Sequence, residues 1–148
     1  MTKVLNGNDV ATKIQKYFNG AVLDSNDIDI WIKPDIFREV CSFLESSDEF
    51  NMNYLVSISG VDYVEYFELV YHLVSMSKNH SLVLKMKLYG TREQPSAPSI
   101  VSIWKGADLQ EREIWDLLGI GFEDHHNMKR ILLWEGFPGH PLRKDYIG

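Results

Sequence analysis

The chain holds a single cysteine, only five prolines in 148 residues, no surplus of positive charge and no long apolar run. Each shortage removes a class of protein. Cys41 alone cannot close an internal disulfide, and the opening MTKVLNGNDV has no apolar core of a secretory signal, so a reduced, cytoplasmic chain is expected. With 15 Lys and Arg against 21 Asp and Glu, the net charge is −6 and the isoelectric point near 5.3. Phosphate binding scales with the number of neutralising basic contacts, so nucleic acid is not an expected partner, nor is an anionic lipid surface. The apolar run Leu69–Leu73, broken by His72, falls far short of the roughly 20 residues that span a bilayer. Any membrane association is expected to come through a partner. Internal repeats and low-complexity segments are absent. So is a phosphate-binding glycine loop, because Gly119-Ile120-Gly121 follows a predicted helix where such a loop would open one.

What is present suits one globular domain: 45% hydrophobic and 24% charged residues. Asp9 is a candidate cap for a first helix with Val10, Ile14, Tyr17 and Phe18 on one stripe, stopped by Asn19-Gly20. Ala21–Leu23 and Ile28–Ile32 read as a hairpin about Asp24-Ser25-Asn26-Asp27, with Ile28, Ile30 and Ile32 sharing a face. Pro34 opens a second helix with Ile36, Phe37, Val40, Cys41 and Leu44 on its apolar side, which makes Cys41 a core residue. The period then drops to two over Tyr54–Val61, Tyr66–Met76 and Ser81–Tyr89, where Leu82, Leu84, Met86 and Leu88 oppose Lys85 and Lys87. His72 and His80 lie in or beside these strands without a second ligand at metal spacing, and read as structural or solvated. The order α-β-β-α-β-β-β predicts an α+β fold, a two-layer sandwich of helices over one face of a mixed sheet, plus a C-terminal helix and an irregular arm.

After a predicted loop from Thr91 to Ser99, Ile100–Trp104 reads as a short strand and Asp108–Leu118 as a helix closed by Gly119. Residues 1–118 therefore form the α+β body and 119–148 a glycine- and proline-rich docking arm within a single domain. The arm keeps Phe122, Ile131, Leu132, Leu133, Trp134 and Phe137, too many apolar groups for a disordered tail, so it is expected to lie across its own domain or against another protein, least anchored after Phe137. On a helical wheel Ile114, Trp115, Leu117 and Leu118 fill one arc with Glu111 inside it, while Arg112 and Asp116 fall outside. A carboxylate on an apolar face needs a cation or several backbone donors, and Lys129, Arg130 and Arg143 are the candidate cations for Glu111. Arg112 and Asp116 can form a weak surface pair at i, i+4. His125, His126 and His140 lack a third ligand at recognised spacing, and adjacent histidines in a strand point to opposite faces, so hydrogen-bonding or interface roles are expected over a metal or general-base site. A stand-alone enzyme using these three histidines, or a small-ligand-binding α+β domain, is the alternative.

Specific motifs sharpen this reading. EREIWDLLGI at 111–120, His125, Lys129, RIL at 130–132 and GFPGHPLRKDY at 136–146 resemble the signature of the C subunit, the 30 kDa-type subunit, of NADH dehydrogenase (respiratory complex I) and of related quinone-reducing and hydrogenase complexes. VDYVEYFELVYHL at 61–73 and SIVSIW at 99–104 resemble the family more loosely. The chain departs from it at Asp124-His125-His126, where many relatives have Gly-His-Pro, and at Asp108-Leu109-Gln110, which replaces an aromatic position. It stops at Gly148, where many relatives extend along a neighbouring subunit, so a minimal version or reduced docking is expected.

The resemblance implies a non-catalytic structural subunit of the peripheral arm, on the cytoplasmic face of the membrane. Its expected partners are the larger D subunit, which helps shape the quinone site and against which it docks, and the nearby iron–sulfur subunits. It implies no cofactor in this chain: NADH or another electron donor, the iron–sulfur clusters and the quinone belong to partner subunits. The motif and interface residues it marks are Glu111, Arg112, Glu113, Asp116, Gly119, His125, Lys129, Arg130, Gly136, His140, Pro141, Arg143, Lys144 and Asp145.

Overall fold

The protein is described by a computed structural model covering residues 1–90 and 92–148. Chain order is β1 (Lys3–Val4), α1 (Gly7–Tyr17), β2 (Val22–Ser25), β3 (Asp29–Ile32), a 3-10 turn (Pro34–Ile36), α2 (Phe37–Ser46), β4 (Tyr54–Asp62), β5 (Phe67–Ser75), β6 (His80–Leu88), β7 (Ser96–Pro98), α3 (Ala107–Leu118) and β8 (Gly121–Glu123). The fold is α+β with a mixed sheet ordered β2-β3-β6-β5-β4. The β3–β6 pair is parallel and the other neighbours on this path are antiparallel. β1, too short to stand out by periodicity, runs parallel to the start of β6, end to end with β3 on the same edge.

Period-two patterning becomes rows across the sheet. Gly60, Leu69 and Met86 form one row; Ile58, Tyr71, Leu84 and Ile30 the next; Leu55, Leu73 and Leu82 a third. Apart from Gly60, these side chains are buried under the helices. α2 presents Phe37, Val40, Cys41 and Leu44, with the Phe37 ring 4.6 Å from that of Tyr71. Burial pushes the Cys41 thiol well above its ordinary range, in keeping with a packing role. On the other face Trp31 lies between Lys85 and Lys87 and donates its indole N–H to Glu68 at 3.0 Å. His72 is exposed, and His80 hydrogen-bonds to the Phe50 carbonyl.

Several expectations need correction. Asn6, not Asp9, caps α1: its side-chain oxygen accepts the Asp9 N–H, which moves the helix start back to Gly7. Tyr17 is exposed, and so is Ile28, which precedes β3 in a turn organised by the Asn26 side chain. The expected strand Ile100–Trp104 is a turn: Ile103 and Trp104 both donate to the Ile100 carbonyl. Ile100 and Trp104 are buried there, Trp104 with its indole on the Met52 carbonyl, while Val101 and Ile103 are half-buried, so the apolar pattern reflects core packing and not strand pairing. The strand lies instead at β7, inside the expected loop, whose first residue Thr91 is outside the described residues. β7 pairs in parallel with β8, so the arm begins as ordered sheet.

α3 packs on β4 at Gly60. A Cβ there would sit 2.6 Å from Leu118 Cδ1 and 3.5 Å from Ile114 Cγ2. Glycine in mid-strand is otherwise unfavourable, and its use here is to let the helix approach the strand. Gly60→Val is expected to lower stability by about 1–3 kcal/mol, the usual scale of core overpacking, read as a lower denaturant midpoint. Gly106→Ala, in open space beside the same helix, is the control expected to change little.

Candidate functional site

The motif residues gather at the C-terminal end of α3, where a helix leaves its last carbonyls without internal partners. Gly119, at φ 76°, turns the chain and returns its N–H to the Trp115 carbonyl at 2.8 Å. The arm then folds back over the helix end. His140 Nδ1 donates to the Asp116 carbonyl (3.0 Å), the Leu142 N–H to that of Leu117 (2.9 Å) and Arg143 Nε to that of Leu118 (2.6 Å). A carbonyl only accepts, so the proton of neutral His140 is on Nδ1. A side chain at position 119 would clash with the His140 ring at 2.6 Å and with Arg143 at 2.9 Å, so glycine there serves both the left-handed turn and the close approach.

Asp116 is the hub. Its side chain is 0% exposed; Oδ2 accepts the backbone N–H groups of Ile131 (3.2 Å), Leu132 (2.7 Å) and Leu133 (2.9 Å), and Oδ1 accepts from Arg130 (2.8 Å). The other guanidinium nitrogen of Arg130 donates to the Phe137 and Gly139 carbonyls, both at 2.7 Å. Arg112 donates to the Lys129 and Arg130 carbonyls. Burial alone would raise the Asp116 carboxyl, but Arg130 and the three amides outweigh it and hold it at about 2.

A second clasp fixes the far end of the arm. Asp62, buried at the end of β4, takes both terminal nitrogens of Arg92 (2.9 and 2.8 Å) and the N–H of Lys144 (2.9 Å). Arg92 also reaches Asp145 at 3.3 Å. The Arg92 and Arg143 guanidinium groups lie 4.7 and 5.2 Å from the Phe67 ring centre. Hydrogen bonding to Arg92 holds the Asp62 carboxyl well below the usual carboxylate range.

The expected pairing of Glu111 with Arg130, Lys129 or Arg143 is not the one formed. Glu111 is 0% exposed, but its donors are the Ser99 hydroxyl (2.6 Å) and the Ile100 N–H (2.9 Å), and Arg130 serves Asp116. Desolvation pushes the Glu111 carboxyl up to about 7 against these two hydrogen bonds. The expected surface pair of Arg112 and Asp116 is likewise replaced, since Asp116 faces the arm and Arg112 holds arm carbonyls. The wheel failed at Asp116 because it scores only apolar neighbours, and α3 is covered on this side by polar backbone. The expectation that the chain after Phe137 is least anchored also fails: His140, Leu142, Arg143, Lys144 and Asp145 all make contacts to the body.

His125 and His126 are not in a strand. Their rings stack at 5.0 Å beside Asp108, after Asp124 at φ 69°, so they share a side. His140 is bound at Asp116, eight residues along α3 from Asp108, about 12 Å at the helical rise. The three do not converge, and among the described residues no group of three or more His, Cys, Asp or Glu is placed to hold a metal. Glu113 and Lys129 are exposed or half-exposed, Pro141 is half-buried, and Gly136 (φ 92°) turns the chain against the Trp134 ring. Three residues that hold the site escaped the sequence reading: Asp62, Arg92 and Arg38. Arg38 on α2 donates to the Ser99 and Glu123 carbonyls and pairs with Asp124 at 3.2 Å, tying α2 to the β7–β8 sheet. Asp62 stood in a segment already resembling the family; the two arginines had no local signal.

The family model for "Respiratory-chain NADH dehydrogenase, 30 Kd subunit" matches residues 30–148. The chain belongs to this family. It is similar to the C subunit of NADH-quinone oxidoreductase from Roseiflexus castenholzii, 36% identical over 143 residues that cover 92% of this chain and 81% of that one. The corresponding protein of Chelativorans sp. is 37% identical over 145 residues, covering 93% and 71%. Among solved structures, a trypsin-resistant fragment of Nqo5 is similar at TM-score 0.58 and 26% identity, covering 81% of this chain and 97% of the fragment. A chain in an archaeal membrane-bound sulfane sulfur reductase shares the fold, with TM-score 0.76 at 19% identity, covering 95% and 85%. No helix of the chain, among the described residues, is long and apolar enough to cross a membrane.

Asp116 makes the network acid-labile in a defined window. Its carboxyl lies below the unfolded value of about 3.9, so its contribution is present above pH ~4 and is lost as pH falls toward 2, about 2–3 kcal/mol for a shift of this size. Asp116→Ala, which strands Arg130 and three amides, is expected to cost about 3–5 kcal/mol in chemical denaturation and to flatten that acid limb.

Proposed function

We propose that the protein is a non-catalytic structural subunit of the peripheral arm of a complex I-type NADH:quinone oxidoreductase. It docks through its C-terminal arm to the larger D subunit on the cytoplasmic side of the membrane, close to the iron–sulfur subunits. Electrons enter from NADH or another donor and reach quinone through cofactors of the partners; this chain contributes shape and attachment. Family membership supports the assembly. The observation that carries the docking reading is the arm's division of labour: its polar groups are spent inward, on Asp116, Asp62 and the end of α3, while apolar side chains point outward.

Leu132, Trp134, Leu142 and Ile147 are exposed, Trp134 at 65% and Ile147 at 92%. A segment pinned by so many hydrogen bonds is pre-organised, so presenting this surface to a partner costs little ordering entropy. Aromatic and aliphatic anchors on a rigid support are what a protein interface uses at its centre. Arg143 is a strut between Leu118 and Phe67 that sets the pose of the arm. Lys144 and Asp145 keep exposed side chains, available to a partner's charges at the rim.

The test is co-purification of the D subunit and membrane quinone-reductase activity from cells expressing variants. Trp134→Asp is expected to leave the fold of the chain unchanged, within about 0.5 kcal/mol as for most surface substitutions, yet to reduce recovery of that partner at least tenfold and activity with it. Arg143→Lys is expected to weaken assembly despite retaining charge, through a loosened arm. Full assembly and turnover with Trp134→Asp would remove the arm from the docking account. Full assembly with lost turnover would assign it a part in the reaction.

A further inference from the structure

Glu111 is not used by the docking reading, and its surroundings are unlike those of the other buried acids. Asp62 and Asp116 each face an arginine; Glu111 is enclosed with a hydroxyl and one amide as its donors, and no Lys, Arg or His among the described residues forms an ion pair with it. The titratable and charged groups that face it are Arg38 from α2, Tyr71 from β5 and Asp108 from its own helix. Of these, Arg38 is the one cation, and its nitrogens are given to Ser99 O, Glu123 O and Asp124. Tyr71 Oη is buried with no hydrogen-bond partner, so this interior already leaves one polar group unsatisfied beside the carboxyl.

We propose that Glu111 is a proton-binding site of the folded protein, at which uptake of one proton from solvent is coupled to the Ser99–Val101 turn that joins β7 to α3. As an anion the carboxyl is acceptor-only: Oε1 takes the Ser99 hydroxyl and Oε2 the Ile100 N–H, while Ser99 Oγ in turn accepts the Val101 N–H at 3.2 Å. On protonation an O–H bond forms at one of these oxygens: at Oε1 it reverses the hydrogen bond with Ser99, whose hydroxyl then accepts, and at Oε2 it opposes the Ile100 N–H. The neutral acid suits a site with no paired cation, and the anion suits the turn; the two states therefore differ in how firmly residues 99–101 are held. Arg38, bound to Ser99 O and Glu123 O, extends the coupling to the end of β8, where the arm begins.

The sign of the linkage follows from a carboxyl raised above its unfolded value. The folded chain binds more protons than the unfolded one between about pH 4.5 and 7, so the stabilising contribution of the neutral acid is complete below that window and is lost as pH rises through 7.

The experiment is a carboxyl-carbon and amide NMR titration of the full chain. Expected is a Glu111 Cδ midpoint near 7, a proton affinity roughly 100-fold or more above that of an ordinary exposed glutamate, with the Ile100 and Val101 amides moving at the same midpoint. Glu111→Gln should abolish the amide movement. Ser99→Ala, which removes a donor to the anion but not the carboxyl, should raise the midpoint. A Glu111 midpoint within about half a unit of the ordinary glutamate value of about 4.3, amides of Ile100 and Val101 that do not follow the carboxyl, or a Ser99→Ala midpoint unmoved would each overturn the proposal.

Discussion

The carbonyls of Asp116, Leu117 and Leu118 end α3 without partners in the helix, and the most distinctive part of the chain is organised around supplying them. An imidazole, a backbone amide and a guanidinium do so from residues 140–143, all on a segment with no regular structure. The arrangement requires that the arm return over the helix end, which Gly119 allows, and that it be held there, which Asp116 does by collecting three successive amides and Arg130. Buried carboxylates are costly, and this one is tolerated because both of its oxygens are supplied with donors, one of them charged. The arm thereby behaves as part of the body.

The sheet places this machinery. Rows of aliphatic side chains across β4, β5 and β6 give α2 and α3 a continuous floor, and the missing side chain at Gly60 lets α3 settle against β4. Asp62, two residues further along the same strand, then stands where it can hold Arg92 and the Lys144 amide. One strand thus seats the helix and fastens the end of the arm that the helix carries. Arg38 closes the third side by tying α2 to β7 and β8.

In this chain the division of inward polar groups from outward apolar ones separates two duties along the arm. Asp116, Gly119, Arg130, His140 and Arg143 build the arm's shape; Leu132, Trp134, Leu142 and Ile147 form the apolar surface left over. Charge that is already paired adds specificity of pose more than affinity, and the exposed apolar groups are the part with free energy still to gain from a partner.

Periodicity and composition determined the α+β class, the long strands within two residues of their ends, the apolar stripe of α2 and the helix ending at Leu118, because each of these depends on neighbours close along the chain. The family was legible in the run from Glu111 to Tyr146. Partner choice was not: Glu111 and Asp116 are both acids on one helix, and which one meets Arg130 depends on a face covered by backbone from 131–133, a contact with no hydrophobic signature. The Ile100–Trp104 segment failed for the complementary reason, since its burial comes from packing against Met52 and α3 and not from strand pairing. Only the tertiary structure could bring Asp62 to Lys144 or Arg38 to Asp124, pairs separated by 82 and 86 positions, because such contacts are set by how the sheet orders its strands and leave no mark on local sequence.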